Sequence, residues 1–293
     1  MPINIKIYAL SFFLSWLVSC QQESPLLVEQ EYAFRLVPVE HSGVDFINQL
    51  QENEQQNIIR YPYFYNGGGV AIGDLNQDRF HALYFTGNQK GDRLYFNQGE
   101  LKFKDVTIKA GILKSNLWTT GVSFVDINND GWLDIYVCRS GMGTYRNNLL
   151  YINQQNGKFT EKGKAYGLND NGYSVQSYFF DYDRDGDLDM YLVNHSNHFF
   201  ASQDSLFALK NQPVPEESDK LYRNEGNETF TDVSQEAGIN HFGFGLSAAI
   251  ADLNGDNYPD IYVANDFFEP DFLYLNNGDG TFTDELAESI GRT

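Results

Sequence analysis

Three stretches of this chain repeat one acidic spacing. They read Asp126-Ile-Asn128-Asn-Asp130-Gly131-Trp132-Leu-Asp134, Asp181-Tyr-Asp183-Arg-Asp185-Gly186-Asp187-Leu-Asp189 and Asp252-Leu-Asn254-Gly-Asp256-Asn257-Tyr258-Pro-Asp260. Oxygen-bearing side chains fall at positions 1, 3, 5 and 9 of each nine-residue loop, the arrangement by which a tight turn converges hard ligands on a hard cation. Ca²⁺ accepts six to eight oxygens at about 2.3–2.6 Å in irregular geometry, so calcium is the expected occupant. The backbone carbonyls of Trp132, Asp187 and Tyr258, at position 7, are expected to join the side chains. Gly131 and Gly186 at position 6 allow the positive φ such a turn needs, and Asn257 is the next most tolerant residue there.

A worn copy precedes these three. Asp74, Asn76 and Asp78 keep positions 1, 3 and 5, but Arg79 stands in place of glycine and Ala82 in place of the last carboxylate. This loop is expected to hold its ion weakly or not at all, with Arg79 supplying positive charge instead. An EF-hand is excluded because its loop needs a bidentate Glu at position 12 and flanking helices. Position 12 here is Val137, Leu192 or Val263, inside β-branched and aromatic runs that read as buried strands.

The elements that must hold such loops recur with them. Successive first aspartates are about 52, 55 and 71 residues apart, a period that signals propellers or solenoids. Before each loop comes a strand such as Gly121-Val-Ser-Phe-Val-Asp126, and after it a Tyr-containing strand. Then come a third strand ending in Asn (Asn97, Asn153, Asn224, Asn276) and a short fourth strand from Phe103, Phe159, Phe230 or Phe282. Four short strands per unit is the arithmetic of a propeller blade. The predicted fold is therefore all-β: a β-propeller of four-stranded blades, with units near 66–112, 117–168, 173–239 and 243–293 and few helices. Aromatic residues make up 15% of the chain, which suits sheets stacked with large rings between them.

These units resemble the FG-GAP/VCBS-type repeats of calcium-binding β-propellers. The wording Tyr65-Asn-Gly-Gly-Gly-Val-Ala-Ile-Gly-Asp74, Asn128-Asn-Asp-Gly-Trp-Leu-Asp-Ile-Tyr-Val-Cys138 and Asn265-Asp266-Phe is similar to bacterial lipoproteins that carry such repeats ahead of an ASPIC/UnbV-type region. The resemblance spans roughly residues 31–293 and lacks that C-terminal region. Such propellers usually have more than four blades, so the resemblance implies a partial ring whose last sheet face is exposed, with a complete four-bladed propeller the alternative. It implies fold and metal; a propeller hosts many unrelated activities.

The chain opens with an apolar run from Ile7 to Val18, too short for a permanent span and suited to a signal peptide over 1–19. Leu17-Val18-Ser19-Cys20 resembles a bacterial lipobox, which makes Cys20 the expected acylated residue and 20–30 a polar tether. Two acyl chains suffice for stable anchoring. Gln21 in place of an inner-membrane retention Asp favours the outer membrane or cell surface. Cys138 would then be the remaining cysteine, a small buried hydrophobe without a disulfide partner. The formal net charge of −20 argues against nucleic acid or an anionic lipid surface as partner.

The third unit is lengthened by a segment from His195 to Ser218, a long irregular connection of the kind that carries binding. His195 and His198 are read as solvated or capping residues, with metal or sugar contacts the alternative, and Phe199 and Phe200 as either a satellite core or a ligand platform. Tyr145, Arg146 and Asn265-Asp266-Phe267-Phe268 lie at corresponding connections and are expected to share its face. The function expected is a calcium-stabilised, lipid-anchored module binding a glycan or an envelope protein. A carbohydrate-active enzyme or its accessory subunit, and a structural assembly unit, are the alternatives. No Ser-His-Asp grouping, His-Glu-x-x-His or Cys/His cluster is legible, so no catalytic residue is assigned.

Overall fold

The computed structural model describes residues 34–210, 214–239, 241–267 and 269–289. The expected signal peptide, Cys20, the tether and Phe268 lie outside them. Residues 34–37 belong to a leading unit and are irregular there; Pro38 onward forms a second unit, which carries all the sheets.

That unit is a partial β-propeller of four antiparallel blades. The first contains β1 (Val70–Gly73), β2 (Ala82–Phe85), β3 (Arg93–Asn97) and β4 (Phe103–Asp105); the second, β5 (Thr119–Val125), β6 (Asp134–Arg139), β7 (Leu149–Asn153) and β8 (Phe159–Glu161). The third contains β9 (Ser174–Phe180), β10 (Asp189–Asn194), β11 (Lys220–Asn224) and β12 (Phe230–Asp232); the fourth, β13 (Gly245–Ala251), β14 (Asp260–Asn265), β15 (Phe272–Asn276) and β16 (Phe282–Asp284). Strands pair in chain order within every blade, and each acidic loop joins the first strand to the second.

The blades stack through three apolar layers among the described residues. Tyr84 and Leu94 meet Ile135, Val137 and Tyr151 between blades one and two. Tyr136, Cys138 and Leu150 meet Met190, Leu192 and Tyr222 between two and three. Tyr191, Val193 and Leu221 meet Ile261, Val263 and Tyr274 between three and four. Stacking on both faces explains why β6 and β10 are buried at every position, whereas β2 and β14 are only partly so. Val70 and Ile72 on the free side of blade one stay mostly exposed, as does much of β13.

Inner strands approach one another closely. Gly69 N–H donates to Thr120 O at 2.8 Å, and Thr120 Oγ1 to Ser174 O at 2.7 Å. A Cβ on Gly121 would stand 2.4 Å from Val175 O and 2.9 Å from Gln176 Cα, so only glycine fits this crossing.

Residues 38–66 pack on the first blade and over the axis. Phe46 stacks on Phe85 at 5.2 Å and Tyr95 Oη donates to Asp45 at 2.8 Å. Tyr61, Tyr63 and Phe64 form a further buried cluster with Trp118 and Phe199 packed against it. The insertion in the third unit is less irregular than its sequence suggests, for it carries the helix Gln203–Lys210.

Candidate functional site

All four acidic loops share one backbone trace. Position 4 has positive φ in each (Gln77 57°, Asn129 54°, Arg184 64°, Gly255 82°), and so does position 6 (Arg79 69°, Gly131 85°, Gly186 100°, Asn257 72°). The turn therefore needs left-handed residues at two places, and Arg79 adopts that conformation despite its Cβ. The trace turns successive N–H groups onto the first carboxylate. Asp126 accepts from Asp130 and Gly131 at 2.9 and 2.8 Å, and Asp252 from Asp256 and Asn257 at 3.1 and 3.0 Å. Asp181 accepts from Gly186 at 3.1 Å. In the worn loop Asp74 accepts from the Arg79 backbone N–H at 2.8 Å. It is this backbone group, rather than the guanidinium, that meets Asp74.

The ninth position has a second duty. Asp134, Asp189 and Asp260 are fully buried, and each carboxylate is gripped by two backbone N–H groups. One comes from position 2 of the same loop: Ile127 at 3.3 Å, Tyr182 at 3.1 Å, Leu253 at 2.8 Å. The other comes from the Asn that ends the third strand: Asn153 at 2.7 Å, Asn224 at 2.8 Å, Asn276 at 2.8 Å. Burial pushes the Asp134 and Asp189 carboxyls up to about 7, against the pull of these donors and with help from neighbouring loop carboxylates.

The third loop is the most convergent. One carboxylate oxygen from each of Asp181, Asp183 and Asp189 lies within 4.8 Å of the others. Asp181 Oδ1 and Asp187 Oδ1 are buried without a hydrogen-bond partner, and burial plus Asp185, Asp183 and Asp181 raises Asp187 to about 6. Unpaired buried carboxylate oxygens crowded in this way fit a hard divalent cation, whose charge would offset both burial and mutual repulsion. In the other loops Asn replaces Asp at position 3, and its amide donates to the fifth carboxylate: Asn76 to Asp78 and Asn254 to Asp256, both at 2.8 Å, and Asn128 to Asp130 at 3.3 Å. Rotating that amide would turn its oxygen inward as a ligand. Asp187 is expected from sequence to offer only its carbonyl; its carboxylate also lies in the field of Asp185, Asp183 and Asp181.

A model of the FG-GAP-like repeat matches residues 74–137, 140–192, 204–263 and 252–293. The chain belongs to the FG-GAP-like repeat family. It is also 27% identical over 239 residues to cartilage acidic protein 1 of Homo sapiens, across 75% of this chain and 34% of that protein. The chain thus spans about a third of its relative's length. The first FG-GAP-like match runs from the acidic loop of one blade to the second strand of the next, so the sequence repeat and the structural blade are offset.

At the end of each FG-GAP-like blade opposite the loop, a second polar pin recurs. Asp92 accepts from Tyr84 Oη at 2.9 Å and Gly87 N–H at 3.0 Å; Asp219 accepts from Tyr191 Oη at 2.6 Å and Asn194 N–H at 2.8 Å. Asp271 accepts from Tyr262 Oη and, at 2.8 Å, from Asn265 N–H. In the second blade Asn148 accepts from Arg139 N–H at 2.7 Å and donates to Tyr136 Oη at 3.1 Å. Burial lifts Asp92 above the usual carboxylate range and Asp219 to about 7. The signal was present as Asp/Asn two residues before each third-strand Leu (Leu94, Leu150, Leu221, Leu273).

The same end carries the axial cluster, and here the reading of His195 is corrected. His195 is not solvated; it is 1% exposed. Its Nδ1 donates to Ser196 O at 2.8 Å, which leaves Nε2 to accept from Ser140 Oγ at 2.8 Å and meet Tyr61 Oη at 3.2 Å. Burial, with Arg146 nearby, lowers its pKa to about 4. Ser140 and His195 have the spacing of a nucleophile and its base, but a backbone carbonyl stands where an orienting carboxylate would, and Ser140 is buried. His198 is half-exposed and pairs with Glu217 at 2.8 Å. Phe199 packs edge-on against Tyr61 and Tyr63, whereas Phe200 is exposed. The three connections do share a face: Phe267 packs on Phe199 and Phe244, and Arg146 pairs with Glu216 of the insertion at 2.9 Å. Cys138 is fully buried, and burial pushes its thiol well up, as expected of a small core residue.

Proposed function

We propose that this FG-GAP-like chain is a cell-envelope lipoprotein whose blades are stapled by calcium and whose connections bind a partner, a glycan or another envelope protein. The supporting observation is the third loop, where three carboxylates converge and two buried oxygens lack partners. Asp126, Asn128, Asp130 and Asp134, and Asp252, Asn254, Asp256 and Asp260, would hold further ions on the same trace, with the carbonyls of Trp132, Asp187 and Tyr258 contributing. A cation bound to the native state alone stabilises it by RT ln(1 + [L]/Kd), roughly 2.7 kcal/mol per site at a hundredfold excess. With Cys20 acylated, Cys138 has no cysteine to pair with, and the bound ion is a principal tie between the first two strands of a blade.

Export and acylation at Cys20 follow from the lipobox-like start, and a calcium-replete exterior suits loops of modest affinity. Two measurements test the reading. Chelation with EGTA should lower the melting temperature of the full chain, and an unchanged melt would remove the staple. Cys20→Ala should shift the expressed protein out of the membrane fraction; persistence there would remove the anchor.

A further inference from the structure

The first strands of blades two, three and four, with the segment ahead of β1, line one open cavity of about 420 Å³ at the axis. Its wall has an unusual chemistry for this molecule. The chain carries 40 acidic and 20 basic side chains, yet among the described residues no Asp, Glu, Lys or Arg lines the cavity. The lining imidazole, His195, is held neutral by burial and has both nitrogens engaged. What remains is aromatic surface interleaved with amides, hydroxyls and bare backbone. Trp118 and Tyr178 supply accessible rings, with Tyr61 itself buried, and Asn66, Gln176 and Ser247 supply polar edges. Gly67, Gly68 and Gly69 leave the peptide groups uncovered by side chains.

The rings are held in place. Tyr61 lies edge-on to Trp118 at 5.4 Å and 88°, and Phe64 backs Trp118 at 5.4 Å. Tyr178 is tied across blades, its Oη accepting from Ala248 N–H at 2.9 Å. Ordered aromatic walls with neutral donors and acceptors recognise a ligand that has apolar C–H faces and many hydroxyls but no charge. An anion would find no cation in the lining, since Arg146 near His195 is already paired with Glu216, and would meet the field of a strongly acidic protein. An apolar ligand would leave the amide and hydroxyl edges unpaired.

We infer that the axial cavity is a binding site for a neutral saccharide, of a size for one or two sugar rings. The inference rests on the binding-module reading and names its ligand class. The test titrates the full chain, in calcium, with immobilised neutral oligosaccharides and with sialylated or uronate-bearing counterparts, and follows Trp118 emission.

Neutral glycans should bind, charged ones about tenfold more weakly or not at all, and emission should shift on binding. Ser247→Asp, an exposed position that places a carboxylate in the wall, should weaken binding at least tenfold with no change in melting temperature. Trp118→Ala should weaken it similarly, with its melt recorded to separate misfolding from lost contact. Binding only of charged glycans, of none, or of neutral glycans with unchanged affinity in Ser247→Asp would overturn the assignment. In the last case binding itself survives, so the module reading stands while the axial site falls. Loss of the EGTA effect on the same samples would strike the staple and leave the cavity untouched.

Discussion

Asn276 Nδ2 donates to the carbonyl of Tyr182, 2.8 Å away and 94 residues earlier in the chain. Tyr182 is position 2 of the third blade's acidic loop and Asn276 ends the third strand of the fourth, so one amide sews a loop to the next blade. The same amide bonds Pro259 O in its own loop, and its backbone N–H bonds Asp260. Asn153 repeats the pattern with Leu75 O and Leu133 O. Asn276→Ala and Asn153→Ala should each cost about 1–3 kcal/mol, since each strands buried carbonyls. Asn97, which follows a loop without a ninth carboxylate, should cost less. Urea denaturation of the three variants measures the order.

If the acidic loops hold calcium as proposed, they should rank by their carboxylates. Asp185→Ala should lower the melting temperature in calcium far more than Asp78→Ala, because the latter loop lacks Asp at position 9. Equal small effects would mean that the third loop contributes no bound ion.

Two buried groups respond to pH in opposite directions. His195 has a folded pKa near 4 against an ordinary 6.5, so its contribution is complete above pH 6.5 and falls as pH drops toward 4. Asp219 has a folded pKa near 7 against 3.8, so its contribution is complete below pH 3.8 and is lost as pH rises through 7. Each slope reaches about 1.4 kcal/mol per pH unit, and in the shared window they offset one another. Relative to wild type, His195→Gln should lose less stability as pH falls from 6.5 to 4.5. Chemical denaturation across that range measures the difference; parallel profiles would place the imidazole in water.

Asp219→Asn should be tolerated, because the second blade already uses Asn148 at this position and makes both contacts with it. The variant should gain stability over wild type as pH rises from 5 to 8. Asp219→Ala should instead cost about 1–3 kcal/mol by orphaning Tyr191 Oη and Asn194 N–H. A guanidinium midpoint series separates the three proteins.

Close blade crossing predicts a sharp contrast between glycines. Gly121→Ala drives a methyl into Val175 O and should destabilise by about 1–3 kcal/mol or more. Gly143→Ala meets nothing within 4 Å and should stay within about 0.5 kcal/mol of wild type. Thermal melts of the pair test whether β5 and β9 truly meet at this distance.

Loop residues and strand order were legible because they are local: Asp126 through Asp134 fall on one turn, and Asp-Ile-Tyr-Val on one strand. Local spacing also made the family legible, since every unit repeats it. Less visible was a residue with two duties. Asp134 looks like a ligand in sequence, but its burial against Ile127 and Asn153 also makes it a pin between strands. The pins at Asp92, Asn148, Asp219 and Asp271 do repeat in sequence, yet nothing local says which tyrosine they meet.

Sequence alone thus determined the blade and its acidic turn, because hydrogen-bonded neighbours in a meander are neighbours in the chain. Tertiary structure decided everything at the axis. His195, Ser140 and Tyr61 come from the third blade, the second blade and the segment ahead of the first, and they share one hydrogen-bonded junction. Only the stacking of twisted sheets brings such distant groups together, and burial then turns an ordinary histidine into a neutral wall of an uncharged cavity.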